Sequence, residues 1–448
     1  MTTGSGNDAL AGRFAASILD AAAAPLPDAV VIESIRTFVN VLGTAVGASG
    51  SEPVDAIIAV GAEGASSVPG RRERVDQVSA ATAIATAAHL EDFDDTHLAT
   101  VVHPGASVLG SVYPLAEALD TPGEVIVKAI ALGVEAQLRV ALAMNPQHYD
   151  AGWHVTGTVG PIGAAVAASI VLGAGSAELA HACGIATSLT VGHREGFGTM
   201  VKSLHAGKAA ANGLLAATLA VRGFTAKATA LEGPRGYFNI LAQQWEEDAL
   251  LDGFGEHWEI LRNTYKPYPC GIVIHPLIDA ALELVPGLDH REIVQVSVRC
   301  HPLVAELTGD LEPSDGLQTK FSAVHAVAAA LVTGSAGPGQ FSTKAARDPA
   351  IRRVRRLTAL SVTETIAREA GAVEVRFEDG TTRTASVEVA RGSVARPLTD
   401  AELYDKAHAL IATRYPHTAD DIIGAARALG AGAAFVELVQ HLTDGDLR

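Results

Sequence analysis

The chain has 448 residues, 48% of them hydrophobic and 5% aromatic, with a formal net charge of −17. That length suits two or three domains around a large core, and an acidic balance without a Lys/Arg-rich block argues against nucleic-acid binding. Three widely spaced cysteines, Cys183, Cys270 and Cys300, give neither a disulfide framework nor a zinc or iron–sulfur motif, so a reducing, cytoplasmic setting is expected.

The first residues, Met1 to Gly6, lack the basic and apolar regions of a secretory leader. From about residue 8 to 250 the pattern is helical. Apolar residues recur at intervals of three and four in Val30–Val46, Ala80–Leu90, Val125–Ala143, Thr158–Leu172 and Ala209–Val221. These segments are rich in Ala and Gly, which predicts close helix packing. The uncharged run Val155 to Ser176 is long enough to suggest a membrane span. Its Gly, Ala, Thr and Ser content and its Pro161 instead predict a helix buried in a bundle, and no membrane association.

The character changes near Trp258. Glu259–Tyr265 reads as a strand, and Val294–Cys300 alternates so that Val294, Val296, Val298 and Cys300 share a face. Ala372–Phe377 and Thr382–Val389 flank Asp379-Gly380, a hairpin signal. Two helices are predicted between these, about Ile272–Leu284 and Phe321–Val332. After Arg396-Pro397 the helical pattern returns, with Thr399-Asp400-Ala401-Glu402 as a capping box. The organisation that follows is a discontinuous helical domain, residues 1–260 and 397–448, with an α+β domain, residues 261–396, inserted. No internal repeat is present, and a cleft between domains is the natural place for a ligand.

Two short stretches stand out against this background. One is Asp92-Phe93-Asp94-Asp95-Thr96-His97 with His103-Pro104-Gly105 behind it; the other is Lys266-Pro267-Tyr268-Pro269-Cys270. The first supplies carboxylates, a hydroxyl and imidazoles, and the second a lysine on a chain that two prolines keep out of helix. Acid/base groups with a cation suit chemistry on a small carboxylic acid. Eight of the sixteen histidines lie between His89 and His205. His103 and His154 sit beside Gly or Pro in turns, where an imidazole can move protons; a satisfied structural histidine is the plain alternative. Asp92, Asp94, Asp95, His97 and His103 offer metal-ligand chemistry, but their spacing fits no metal motif, and Asp94 and Asp95 can equally cap helices or orient imidazoles. Lys202 and His205 lie three apart at a helix start, on one face and near backbone N–H donors. Lys266 lies near the domain boundary, His275 opens the next helix, and His325 sits on an apolar helix where packing is its plain role. No dinucleotide fingerprint, P-loop or nucleophile elbow is present.

Through these motifs, together with Gly152-Trp153-His154, Lys202-Ser203-Leu204-His205-Ala206-Gly207 and Phe321-Ser322, the chain resembles the MmgE/PrpD family nearly end to end. That family includes 2-methylcitrate dehydratase, cis-aconitate decarboxylase and iminodisuccinate epimerase. The resemblance implies a mainly α fold with an α+β part: an all-helical domain built from both chain ends and an inserted α+β lid. It also implies a homodimer without cofactor or metal, acting on a small anionic carboxylate substrate. His103 and His154 match the proton-transfer residues, Lys202 and Lys266 the carboxylate-binding cations, and Asp92 and Thr96 an orienting pair. His275 matches the histidine that follows the lysine motif, and His205 and His325 are taken with it as further substrate-binding residues. Three departures are visible: His325 stands where decarboxylase-type members carry Tyr, Gly271 where they carry a second His, and His103-Pro104-Gly105-Ala106-Ser107 where methylcitrate dehydratases carry an HPSDN-like run. The implied activity is a metal-independent lyase working by proton transfer α to a carboxylate. An epimerase shares that first step, and a carboxylate-binding protein without turnover would need only the lysines.

Overall fold

The computed structural model describes residues 8–288 and 292–448, so the stretch from Met1 to Gly6 lies outside the described residues. The chain divides into two compact units. One comprises the residues up to Leu90, then Asp94–Asn263 and Asp400–Arg448; the other comprises Glu91–Phe93 and Thr264–Thr399.

The first unit is a helical bundle. Helices α1 (Leu10–Ala23), α2 (Asp28–Ala48) and α3 (Glu52–Val60) lead into a small antiparallel pair, β1 (Glu63–Ser67) with β2 (Arg74–Val75). Then come α4 (Gln77–Leu90), β3 (Asp95–His97), α5 (Pro104–Leu119), α6 (Gly123–Met144), α7 (Gln147–Asp150), α8 (Val155–Val171), α9 (Ser176–Thr187) and α10 (Met200–Ala220). The short α11 (Tyr237–Leu241) and α12 (Glu247–Leu251) complete the first pass. The unit is therefore mainly helical with short strands, where an all-helical one was expected.

Small residues set the spacing inside the bundle. Between Val155 and Ser169 every residue of α8 is buried, as its composition predicted. A Cβ on Gly213 of α10 would come within 2.4 Å of the Ala164 Cβ and 2.6 Å of the Ala165 backbone N on α8. Only glycine permits that crossing distance. Helix α2 is long and apolar enough to cross a membrane by length and composition, yet 78% of its apolar window is buried in the protein.

The chain leaves this unit through a 3-10 turn, Glu259–Arg262, and the strand β4 (Asn263–Tyr265). A strand over Glu259–Tyr265 was expected, but only its last three residues are extended. The Leu261 N–H donates to the Trp258 carbonyl (3.3 Å) and Arg262 pairs with Glu259 three residues back (3.3 Å), a local turn that competes with extension.

The second unit holds, in order, α13 (His275–Leu284), β5 (Ile293–Cys300), α14 (Pro302–Thr308), α15 (Gly316–Thr319), α16 (Ala323–Thr333), α17 (Thr343–Arg347), α18 (Pro349–Arg356), β6 (Thr358–Val362), β7 (Gly371–Phe377) and β8 (Thr382–Val387). The sheet runs β6-β5-β7-β8, with β6 parallel to β5 and the other pairs antiparallel. The β7–β8 hairpin turns at Asp379-Gly380, where Gly380 takes φ +83°. Helices α13 and α16 bury Leu277, Ile278, Val327 and Leu331 with Val296, Val298, Val373 and Val375 of the sheet in one core. Val294 does not join Val296 and Val298 on that face and is exposed. The register between β5 and β7 shifts between Ile293 and Gln295, and the bulge turns Ile293 inward in its place.

After Thr399 the helical unit resumes with α19 (Asp400–Ile411), α20 (Ala419–Ala428) and α21 (Phe435–Asp444), and α19 packs along α2.

Candidate active site

The imidazoles gather in the helical unit at the ends of its helices. His103 is the N-cap residue of α5 and His154 that of α8. Pro104 follows His103 and starts α5 without needing a backbone donor. The Gly105 N–H donates to the Asp95 carboxylate, at 3.0 and 3.1 Å from its two oxygens, and the Asn263 amide donates to the same group at 2.7 Å. Asp95 thus has the helix-capping role weighed for it. Burial, with the neighbouring Asp94 charge, raises its carboxyl to about 7.

His103 is held through Nδ1. That nitrogen lies 2.8 Å from the Asp95 carbonyl, 3.1 Å from Asp94 Oδ1 and 3.3 Å from Thr96 Oγ1. A carbonyl and a carboxylate can only accept, so Nδ1 carries a hydrogen and Nε2 is left to face the site. The other Asp94 oxygen accepts from His89 Nδ1 at 2.7 Å. Burial opposes ionisation of Asp94, but His103 and His89 hold its carboxyl well below the usual carboxylate range.

His89 is the residue that sequence reasoning missed. It closes the Ala-rich α4, fully buried, with its ring 4.5 Å from that of His103 and 5.7 Å from that of His154, centroid to centroid. Its Nε2 has no hydrogen-bond partner. The one available signal was a histidine inside an otherwise apolar helical stretch just ahead of the acidic motif.

His154 faces His205 of α10, Nδ1 to Nδ1 at 2.9 Å, and packs edge-on against Phe197. Lys202 lies one turn before His205, buried, with its ammonium 5.6 Å from the Phe197 ring centroid. Thr199 caps α10 by accepting from the Val201 N–H. Burial lowers the imidazoles first and the Lys202 charge adds to it: His89 falls to about 3, His205 to about 4 and His154 well below its ordinary value. These three rings are therefore neutral at pH 7.

Other expected residues fall elsewhere. His97 is satisfied at both nitrogens, by Thr100 Oγ1 at 2.9 Å and Glu259 Oε2 at 3.1 Å. In the second unit the Lys266 ammonium lies 2.9 Å from Asp92 and donates to the Cys270 carbonyl at 3.2 Å. Asp92 thus orients Lys266, and it is Asp94 that joins Thr96 on His103. His275 is buried against the Tyr268 ring, 5.4 Å away. His325, buried in α16, makes a 2.8 Å hydrogen bond between Nε2 and the Gln340 carbonyl, and burial lowers it to about 4.

The five-residue metal set considered from sequence is not assembled, because Asp92, Asp95 and His97 are engaged as described. A different trio, His89, Asp94 and His103, has donor atoms within 4.8 Å of one another. Hydrogen bonds between the two imidazole N–H groups and the carboxylate account for that grouping. What remains is a set of buried imidazoles, two of them, His89 and His103, oriented by one carboxylate, beside a lysine cation. Such a set can move a proton at carbon and meet the charge of a carboxylate.

Comparison with known proteins bears on what that chemistry is. Residues 12–248 match the family model described as the MmgE/PrpD N-terminal domain, and residues 268–429 match the MmgE/PrpD C-terminal domain. A cis-aconitate decarboxylase of Aspergillus terreus is 26% identical over 374 residues, covering 77% of this chain and 76% of the relative. The Mus musculus cis-aconitate decarboxylase is 26% identical over 412 residues, 85% of this chain and 82% of its own length. The Homo sapiens enzyme of that name is 32% identical over 216 residues, 46% and 44% of the two chains.

Proposed function

This chain belongs to the MmgE/PrpD family, and we propose that it is a metal-independent lyase acting on a small di- or tricarboxylate, by decarboxylation or dehydration with proton transfer α to a carboxylate. The observation that carries this reading is the grouping of His103, His154 and Lys202 around the buried His89 ring, with His103 aimed by Asp94. The names of the relatives support a lyase over an epimerase.

In this reading Lys202 holds a substrate carboxylate where burial strengthens the attraction. In a decarboxylation the C–C bond to the departing carboxylate breaks and carbon dioxide leaves. The electron pair stays on carbon and is delocalised toward a neighbouring carboxylate, and an imidazole N–H then delivers a proton to that carbon. In a dehydration one imidazole removes the α-proton and the other protonates the departing hydroxyl. Both routes need one ring with a lone pair or proton at Nε2 and a nearby cation, and neither needs a redox partner.

The test is proton NMR of the purified protein in heavy water with citrate-, aconitate- and aspartate-like acids. A new vinyl signal with loss of starting acid is expected. Exchange at an α-carbon with inversion and no new product would replace the lyase with an epimerase. Binding without any exchange would leave only a carboxylate-binding protein.

A further inference from the structure

We propose that His154 and His205 form a two-imidazole proton relay, in which His205 carries the proton of the chemical step between His154 and solvent without touching substrate. The inference rests on the proposed function in one respect: His154 is the ring that exchanges a proton with carbon.

The geometry is specific. The two rings meet through the same nitrogen, Nδ1 to Nδ1 at 2.9 Å, with their planes at 53°. Two neutral imidazoles at that separation must share one hydrogen, since one nitrogen donates and the other accepts. Their tautomers are therefore opposite. When His205 donates, His154 carries its hydrogen on Nε2 and is an acid. When His154 donates, its Nε2 holds a lone pair and is a base. Moving that hydrogen across 2.9 Å, as His154 Nε2 gives up its proton and His205 Nε2 gains one, converts one form into the other.

The surroundings fit a path rather than a packing contact. His154 is 2% exposed, while His205 leans toward His193, whose ring centroid is 6.3 Å away and whose side chain is exposed. The chain at Gly192 passes directly over His205. A Cβ there would meet the ring at 2.8 Å, and φ is +112°, a conformation only glycine takes readily. The residues beside it are tied to the His154 turn, with the His154 N–H donating to the Gly192 carbonyl (3.2 Å) and the Arg194 N–H to the Gly152 carbonyl (2.8 Å). Both rings are thereby fixed against the same pair of loops.

The bookkeeping closes without a co-reactant other than water. After carbon dioxide leaves, the His154 Nε2–H bond breaks and a C–H bond forms. The His205 Nδ1 hydrogen passes to His154 Nδ1, and a solvent proton arrives on His205 Nε2. Neither ring changes charge, and after product leaves, water restores the starting form by giving a proton to His154 Nε2 while the shared hydrogen returns to His205 Nδ1 and His205 Nε2 releases its own. Removal of an α-proton runs the same steps in reverse.

The experiment compares wild-type protein with His205→Gln and His205→Ala, with and without added imidazole. Gln keeps polar atoms in place but cannot accept a proton on one atom while releasing it from another. For both variants kcat should fall on the order of 10²-fold with KM little changed, and imidazole should restore roughly tenfold of that loss in His205→Ala alone. Full activity in His205→Gln, or a loss in His205→Ala that imidazole leaves untouched, would overturn the relay. Nitrogen NMR of the labelled histidines reads the pair even if no acid in the panel turns over. Opposite tautomers with one shared low-field proton, abolished in His205→Gln, would uphold the shared hydrogen that the relay requires, separately from whether the lyase reading stands. Matching tautomers would end it.

Discussion

The Lys266 ammonium stands 2.9 Å from the Asp92 carboxylate, and both side chains are almost wholly buried. A buried pair of this kind costs desolvation on both sides, and removing one partner strands the other. Lys266→Met should therefore destabilise the α+β unit by about 3–5 kcal/mol. The double variant Asp92→Asn with Lys266→Met should recover much of that loss. Urea unfolding of the three proteins measures it; a Lys266→Met variant as stable as the parent would mean that the ammonium is not paired in solution.

Asp94 serves two imidazoles at once. Asp94→Asn places an amide against one of two N–H groups that both need an acceptor, His89 at 2.7 Å or His103 at 3.1 Å. Turnover should fall about 10²–10⁴-fold, the usual worth of a positioned acid or base, with KM changing less. An Asn variant with parental kcat would remove Asp94 from the orienting role.

His103→Ala should lose about 10²–10⁴-fold in rate and keep its circular dichroism spectrum, since the ring packs at a helix end rather than in the apolar core. Both properties are read on one purified sample. A near-normal rate would take His103 out of the proton-transfer step.

The neutral imidazoles give a signed pH dependence. In the unfolded chain they titrate near the ordinary 6.5, while in the folded protein His205 falls to about 4 and His89 to about 3. The folded state binds fewer protons over that window, so the stability they contribute is complete above 6.5 and lost as pH falls through those values. Each ring contributes at most about 1.4 kcal/mol per pH unit. Asp95 has the opposite sign, because a carboxyl raised to about 7 favours folding most below its ordinary value and loses that contribution as pH rises through 7. The difference between wild type and His205→Gln, measured by urea unfolding from pH 4.5 to 7.5, isolates one imidazole. It should narrow as pH falls; a constant gap would mean that His205 is charged in the folded state as readily as in the unfolded one.

Treatment with a chelator followed by metal-free buffer should leave turnover unchanged, because Lys202 supplies the cation in the proposed reaction. Loss of activity with recovery on adding back a divalent ion would instead put His89, Asp94 and His103 to use as ligands.

Much of this was legible from residue order alone. The three-and-four periodicity marked α2, α4 and α6, and Asp379-Gly380 marked the hairpin, because both signals are local. The motif histidines were legible because Pro and Gly beside His103 and His154 showed helix ends. What stayed hidden depends on partners far along the chain. Nothing local distinguishes Asp92 from Asp94, two residues apart, as partner of a lysine or of an imidazole. His89 carries no turn signal. The outward turn of Val294 follows from a register shift against β7, which a single strand cannot reveal.

His103 and His154 both occupy the positive ends of helix dipoles, beside a lysine, in a protein whose overall charge is strongly negative. A field of that sign holds a ligand in proportion to its charge. In the decarboxylation proposed above, one negative charge would leave the substrate at each turnover, so the same field would grip the product less firmly than the acid that entered. Discharge of the ligand is then its own means of release, and product inhibition should be weaker the fewer carboxylates the product keeps.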